Sequence, residues 1–301
     1  MVAGSLYFDQ APLIVLPILF LLVVPFEKLF PRHDQKVRRP HLGLDITYLM
    51  SSPFLQIFTV IAVLVGAAAS FFWLPGLAIR PLVSQMPLAA QAVVGFLLFD
   101  LVIYWAHRWS HEVPFLWRFH SVHHSIETMD WVSPFRAHPL DGLIVGPPIA
   151  FLIAAGFSLE VTGALAVIQF ILGIFLHANV RWRLRPLQRL VITPEFHHWH
   201  HANETDAINT NYSTFLPLWD IVFGTWFMPK TRRPQRYGIA EYMPTTLTSQ
   251  LTYPLRGLRS PLWYVRHPFQ GARHGFRELR SGAKQIWRST RRPTRVAASS
   301  V

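Results

Sequence analysis

The strongest constraint on the fold of this chain is a set of long apolar stretches. Residues 11–26, 45–73 and 87–106 are each apolar over about one bilayer thickness. Lipid offers no hydrogen bonds to the backbone, so such segments satisfy their own polar groups as helices. The sequence therefore predicts an all-α fold, a polytopic membrane helical bundle. The first stretch lacks a preceding basic region, and we interpret it as a retained helix rather than a cleaved signal peptide.

A fourth apolar stretch has a different pattern. Residues 142–176 are almost entirely apolar, but they contain Pro147, Pro148 and Gly156, followed by Ser158. Proline and glycine interrupt regular helices, and serine often begins one. The sequence therefore predicts a hairpin that enters the membrane and returns to the same side.

The overall composition agrees with a membrane protein. Hydrophobic residues make up 51% of the 301 residues and charged residues 15%, and the mean hydropathy is +0.27. The absence of cysteine excludes disulfides, iron–sulfur clusters and thiolate zinc sites.

The net charge of +12 is concentrated near the C-terminus. From Lys230 onward there are fifteen Lys and Arg residues against two acids, Glu241 and Glu278. Such a charge could indicate nucleic acid, but for a membrane chain we expect anionic lipid headgroups and no nucleic acid as the partner. Two interpretations of residues 229–301 remain open: an interfacial segment on anionic lipid, or a solvated, partly disordered basic tail.

The distribution of cations predicts the orientation. The loop at 27–41 carries five basic residues and is therefore expected in the cytoplasm. Alternation then brings the end of the third helix to the cytoplasmic face, and the hairpin returns the basic segment 177–185 to that face. We expect N-terminal transmembrane helices in 1–86, with a loop reaching about residue 86, a histidine-bearing domain in 87–228, and the cytoplasmic basic tail.

Eleven of the fifteen histidines lie between residues 107 and 201. Most form three groups, "HRWSH" at 107–111, "HSVHH" at 120–124 and "HHWHH" at 197–201. Spacings of three and four place imidazoles on one face of a helix. One metal takes three to five protein ligands, so eight nitrogens suit two metals. The eight are His107, His111, His120, His123, His124, His197, His200 and His201.

Other residues are candidates for the same site. His138 and His177 lie in apolar surroundings, where each is either a further ligand or a satisfied core histidine. Asp100 and Tyr104 share the helical stripe of the first group. A carboxylate there would fix the orientation of ligand imidazoles, or it would be satisfied by another neighbour. His198 points off the ligand face, and we expect it behind the ligands or at the surface.

The ligand chemistry narrows the choice of metal. Neutral imidazoles suit iron, copper, zinc or nickel. The HExxH pattern is absent, since His111–Glu112 has no histidine at position 115. A pair of redox metals beside apolar helices that can hold an alkyl chain indicates oxygen activation against a C–H bond.

The three histidine groups resemble the histidine boxes of the fatty acid hydroxylase / sterol desaturase superfamily of membrane di-iron oxygenases. "RAHP" after the second box, "HAN" before the third and "NTNYSTFLPLWDIVFGTW" at 209–226 also match, with Ser213 where glycine is common. The resemblance covers roughly residues 90–228. Where some members carry an HxxxH pair, this chain has Gly173 and His177, so His138 is expected to replace the missing ligand. The resemblance implies a ligand role for His107, His111, His120, His123, His124, His138, His177, His197, His200 and His201.

The same resemblance implies supporting residues and an activity. Asn211, Tyr212 and Asp220 match polar positions after the third box; Asp220 is expected to support a ligand, or else to act as a helix cap or turn residue. Asp141 is a similar candidate. The implied enzyme uses two iron ions, with zinc as a conceivable substitute, and O2 to hydroxylate or desaturate a lipid C–H bond. No flavin or haem motif is visible, so the electrons should come from a separate electron-donor protein.

Two other functions remain in view. One is a non-redox metal enzyme of the same architecture, such as a zinc hydrolase. The other is a metal-binding or transport protein without catalysis. Transport favours ionisable residues within the spans, yet 142–176 contains only Glu160.

Overall fold

The computed structural model describes residues 17–18, 20–71, 74–257, 263 and 266–290. Within these residues the fold is helical, and only two isolated β-bridges, Pro31–Val180 and Ala202–Tyr237, are present. Much of the predicted helix at 11–26 lies outside the described residues. The helices are α1 (20–29), α2 (Leu42–Phe71), α3 (Leu74–Ser84), α4 (Leu88–Glu112), α5 (Pro114–His124), α6 (Gly142–Ala155), α7 (Leu159–His177), α8 (Pro194–His200), α9 (Leu218–Val222), α10 (Leu247–Thr252) and α11 (Pro268–Thr290).

Among the described residues, three helices are long and apolar enough to cross a membrane. They are Leu42–Val65 within α2, Leu88–Glu112 and Leu159–His177; the apolar segment Pro139–Ala155 is shorter. The outer face of α2 exposes large apolar side chains such as Phe54 and Leu64, which suits contact with lipid. The all-α membrane bundle predicted from the sequence is confirmed.

The hairpin predicted at 142–176 is formed by α6 and α7. Gly156 ends α6 with a left-handed φ of 94°, and a Cβ there would approach Cγ of Arg80 to 2.8 Å. Ser158 then accepts a hydrogen bond from Val161 N and begins α7. Glycine is needed at this turn because a side chain would be both strained and obstructed.

The loop predicted before residue 86 was wrong, since the chain forms α3 there. Nη1 of Arg80 donates hydrogen bonds to the carbonyls of Ile153 and Ala154, both at 3.3 Å. Both carbonyls lie in the last turn of α6, where donors within the helix run out, and the carbonyl of Ile153 also accepts from the backbone N of Gly156 at 3.2 Å. The single cation of this segment therefore caps a neighbouring helix.

The segment predicted as a basic tail is partly folded onto the rest of the chain. Between residues 229 and 257, Gln250 and Pro254 are buried, and Nε2 of His138 bonds the carbonyl of Leu251 at 3.0 Å. Farther along, α11 presents exposed Phe269, Phe276 and Trp287. Its five basic residues cluster beside this apolar face: Arg273, Arg277, Arg280, Lys284 and Arg288.

Buried ion pairs fix the loop at 27–41 to the segment after α5. Arg39 pairs with Asp45 at 2.7 Å and with Asp130 at 2.5 Å. Arg136 pairs with the other oxygen of Asp45 at 2.6 Å. Asp45 is fully buried, and removing one partner would leave an uncompensated buried charge. The network holds the N-terminal end of α2 beside the second histidine box.

Candidate metal centre

Short-range sequence features bring the histidines to helix ends. Only Val113 separates α4 from α5, and Pro114 occupies the first position of α5. The first two boxes therefore lie on consecutive helices that meet at a corner. The third box forms α8, which Thr193 caps by accepting a hydrogen bond from Phe196 N. His177 is the last residue of α7.

The imidazoles form two separate groups. All ligand atoms within each group lie within 4.8 Å of one another. The second and third boxes each contribute to both groups, so neither box belongs to a single centre. The first group contains His107, His111, His120, His124 and His200, and the second contains His123, His177, His197 and His201.

Ring nitrogens converge at separations typical of metal ligands. In the first group, Nε2 of His107 and Nε2 of His120 are 3.2 Å apart. In the second, Nε2 of His177 lies 3.2 Å from that of His123 and 3.2 Å from that of His197. Nitrogens that share an ion at about 2.1 Å lie roughly 3.0–3.4 Å apart. The spacing fits a shared ion in each group.

Hydrogen bonds on the far side of the rings fix their tautomers. Nδ1–H donates to a backbone carbonyl in four of them, since a carbonyl can only accept. The pairs are His107 with Tyr212 at 2.7 Å, His123 with Arg136 at 3.2 Å, His177 with Gly173 at 2.7 Å and His200 with Thr210 at 2.9 Å. Each bond leaves the Nε2 lone pair facing the group, as metal binding requires.

Several nitrogens in the groups have no partner within the described residues. They are buried Nε2 of His111, His124 and His200 and Nδ1 of His201. An unpaired buried polar atom costs about 1–3 kcal/mol, so the three unpaired Nε2 atoms of the first group indicate a ligand that supplies the missing bonds. A metal ion fits these lone pairs.

The electrostatic environment keeps the imidazoles neutral. Burial lowers the pKa of His123, His124, His197 and His201 well below the usual range, and neighbouring imidazoles lower each further. Burial also lowers the pKa of His200 to about 3, although its bond to the Thr210 carbonyl opposes this shift. Neutral rings keep their lone pairs available to metal.

Two of the predicted supporting carboxylates lie close behind the ligands. Asp141 accepts from Nδ1 of His120 at 3.2 Å. Asp220 is fully buried and accepts from the backbone N of Tyr212 at 2.8 Å and of Ser213 at 2.7 Å. Because the Tyr212 carbonyl accepts from His107, Asp220 positions that ring indirectly. Asn211 bonds the carbonyls of Phe196 and Phe227 and ties this segment to α8.

Asp100 and Tyr104 were expected to fix the orientation of the ligand imidazoles, but their hydrogen bonds go to other groups. Asp100 accepts from the backbone N of Phe215 and Leu216 and from Nε1 of Trp219, each at 3.1 Å. Tyr104 bonds Oγ1 of Thr225 at 2.9 Å and accepts from Arg108 at 3.1 Å. Asp100 thus follows the other interpretation, a buried aspartate satisfied elsewhere. Both residues hold the segment after the third box.

His138 and His198 lie outside both groups. Nδ1 of His138 accepts from Leu140 N at 3.1 Å, and its Nε2 donates to the Leu251 carbonyl. His198 is buried, bonding Tyr237 through Nδ1 at 2.9 Å and the Ala178 carbonyl through Nε2 at 3.1 Å. In both rings the two nitrogens are bonded to other groups of the protein, so neither ring has a lone pair free for a metal.

Sequence reasoning missed some supporting residues. The carboxylate of Glu27 accepts from the backbone N of Trp131 and of Asn179, both at 2.9 Å. It thereby holds together α1, the segment after the second box and the residues after His177. Glu27 stands in a basic loop, and no local pattern distinguishes it from a surface acid.

A cavity of about 430 Å³ reaches the histidines from between the membrane helices. Its wall includes rings from both groups, among them His107, His120, His123, His177 and His197. Helices α2 and α7 also line it, α7 with mainly apolar side chains and α2 with both apolar and polar ones. The geometry places a largely apolar space directly beside both groups of nitrogens.

Comparisons with known proteins agree with this geometry. The fatty acid hydroxylase family model matches residues 92–225. The chain is 30% identical to the ornithine lipid hydroxylase OlsE of Rhizobium tropici over 246 residues, or 78% of this chain and 71% of that protein.

The matches to two further relatives cover less of each relative's length. The alkylglycerol monooxygenase of Danio rerio is 33% identical over 142 residues, which are 46% of this chain and 30% of the relative. The very-long-chain aldehyde decarbonylase GL1-1 of Oryza sativa subsp. indica is 29% identical over 181 residues, which are 54% of this chain and 29% of the relative. No solved structure matches the chain.

Proposed function

Since this chain belongs to the fatty acid hydroxylase family, we propose that it is a membrane-bound, metal-dependent oxidoreductase that hydroxylates or desaturates a C–H bond of a lipid with O2. The observation that carries this proposal is the convergence of two histidine groups on the end of an apolar cavity. Relatives named as a lipid hydroxylase and a monooxygenase support it.

We assign nine histidines as metal ligands. Five would hold one ion and four the other, in the two groups defined above. His138, the tenth candidate, is left out because both of its nitrogens are bonded elsewhere. The metal proposed is iron, because imidazoles suit iron and the proposed reaction with O2 needs a redox metal; zinc would bind the same nitrogens without redox chemistry.

The protein's own groups orient the metal ligands, position the lipid and exclude water from the site. Bound iron supplies the one-electron chemistry that activates O2 toward an unactivated C–H bond. The backbone carbonyls and Asp141 hold the rings in a ligating orientation. The apolar walls of the cavity hold an alkyl chain and exclude water, so that one C–H position is presented to the site.

The stoichiometry of the reaction requires a source of electrons. Hydroxylation of a C–H bond by O2 yields an alcohol and water and consumes two electrons and two protons. We therefore infer a separate electron-donor protein. Exposed basic side chains near the third box, such as those of Lys230 and Arg236, would meet an acidic partner.

Measurement of bound metal and O2 uptake tests the proposal. Protein purified with iron should carry about two irons per chain, because each histidine group provides enough nitrogens for one ion. It should consume O2 only when lipid and a reductant are both supplied. Stoichiometric zinc, with hydrolysis of a lipid and no O2 uptake, would overturn the proposal in favour of a hydrolase.

The orientation and the basic helix are further proposals. Residues 30–32 pair with 179–181 through Arg181 N to the Phe30 carbonyl at 2.9 Å and Arg32 N to the Asn179 carbonyl at 3.2 Å. The two basic loops therefore share one face, which we assign to the cytoplasm. The aromatic side chains of α11 would enter the headgroup region of that leaflet while its cations meet anionic lipid.

Labelling of single-cysteine variants with a membrane-impermeant maleimide checks both proposals, since the chain contains no cysteine. In intact cells we expect Gln85→Cys to react, and Thr231→Cys and Ser281→Cys to react only after permeabilisation. Phe276→Cys should remain protected, because its exposed side chain would lie in lipid. The reverse reactivity of positions 85 and 231 would invert the orientation, and rapid labelling at 276 would exclude lipid contact.

A further inference from the structure

The cavity beside the histidine groups has a polar position inside its apolar wall. Helix α7 lines it with a stripe that includes Ala166, Gln169, Phe170, Gly173 and His177. These spacings of three and four place all five on one face. Gln169 precedes His177 by two helical turns, which is about 12 Å along the axis. The amide therefore lines the cavity at a distance from the metal site.

The Gln169 side chain is incompletely satisfied. Its Oε1 is buried and has no hydrogen-bond partner within the described residues. A carboxamide in a membrane span is costly unless it is bonded. Rotation about the last side-chain torsion, which is broad for glutamine, turns this oxygen toward the cavity that the residue lines. Nothing in the assigned metal chemistry uses this group.

Helix α2, on the opposite wall of the cavity, also carries polar side chains at spacings of three and four residues. Helix α2 lines the cavity with Ser52, Gln56 and Thr59 among apolar Leu55 and Val60. Ser52 is satisfied by the Leu49 carbonyl at 2.8 Å. Two helices thus face each other across the cavity with polar side chains in the middle of apolar stretches. A plain hydrocarbon would leave the Gln169 oxygen unbonded.

We propose that Gln169 is a specificity-determining residue, and that the lipid in this cavity carries a hydrogen-bond donor, an amide N–H or a hydroxyl, opposite it. The proposal rests on the proposed function, since it takes the cavity as the lipid site. The unpaired atom is an acceptor, so the complementary group is a donor. A hydrogen bond between this donor and Gln169, two helical turns from His177, would fix the position of the lipid along the cavity. It would thereby determine which carbon of the lipid lies next to the metals.

Binding of matched probes to the metal-loaded protein tests the proposal without turnover. N-hexadecylacetamide, hexadecyl acetate and octadecan-2-ol share one chain and differ at the polar group. Relative to partitioning into empty detergent micelles, wild type should bind the amide or the alcohol about tenfold more tightly than the ester. Which of the two binds more tightly identifies the donor. Equal binding of all three probes would overturn the proposal.

Substitution of Gln169 distinguishes a role in lipid recognition from a role in stabilising the fold. Gln169→Leu should abolish the preference for a donor while affinity for the ester stays within about twofold of wild type. Because it removes an unpaired buried oxygen, it should also keep or raise the apparent melting temperature. Ile168→Leu, at an exposed position on the same helix, should keep the preference. A Gln169→Leu protein that still prefers the amide, or that melts well below wild type, would assign Gln169 a structural role instead.

The outcomes distinguish this inference from the proposed function. If the protein takes up O2 with lipid but binds none of the probes, the assignment of the cavity is wrong and the oxygenase function stands. If the donor preference and its loss in Gln169→Leu are seen without O2 chemistry, the lipid subsite stands and the oxygenase proposal fails.

Discussion

Replacement of His123 by alanine should remove about one of the two metal ions per chain and lower turnover at least about 100-fold. His123 belongs to the group of four imidazoles, and its loss leaves three nitrogens there. Loss even of residues that support ligands typically costs 10–100-fold in affinity or activity, so loss of a ligand should cost more. Metal analysis and substrate-dependent O2 uptake measure the two effects.

A second variant and a matched control sharpen this prediction. His200→Ala leaves four nitrogens in the other group, so we expect a smaller loss of metal but a similar loss of turnover. His274→Ala alters an exposed histidine of α11 and should change neither. Full metal loading with normal turnover in His123→Ala would remove that residue from the ligand set.

Asp220→Ala should destabilise the protein by about 3 kcal/mol. The carboxylate accepts from the backbone N of Tyr212 and Ser213 and from Oγ1 of Thr225 at 2.6 Å. Its removal leaves buried donors unpaired, at about 1–3 kcal/mol each. For a chain of this size the apparent melting temperature should fall by roughly 5 °C. Metal content should also fall, because the Tyr212 carbonyl no longer holds His107.

Asp206→Ala provides the matched control for this change. Asp206 is a largely exposed aspartate paired with Arg232, and exposed pairs contribute about 0–1 kcal/mol. Its melting temperature should stay close to that of wild type. An Asp220→Ala protein as stable as Asp206→Ala, with full metal content, would show that Asp220 does not support the site.

Local features of the sequence predicted the helices and the histidine boxes. A span such as α4 is encoded by consecutive apolar residues, and the spacing of His120, His123 and His124 follows the turn of a single helix. The hairpin at 142–176 was predicted for the same reason, since Gly156 and Ser158 act on their immediate neighbours. The spacing of apolar residues and histidines along the sequence indicates which of them share a helix face. Predicting these features therefore required no knowledge of contacts between distant residues.

The sequence by itself determined the membrane bundle, the boxes and the resemblance to a family, because each depends on residues close together in the chain. Only the tertiary structure decided that the second and third boxes are each divided between two groups and that His138 bonds Leu251. It also decided that Asp100 supports the segment after the third box. His123 meets His177, 54 residues away, and no local spacing encodes such a contact. The pairing of distant side chains is set by how whole helices pack, and that packing divided the imidazoles between two sites.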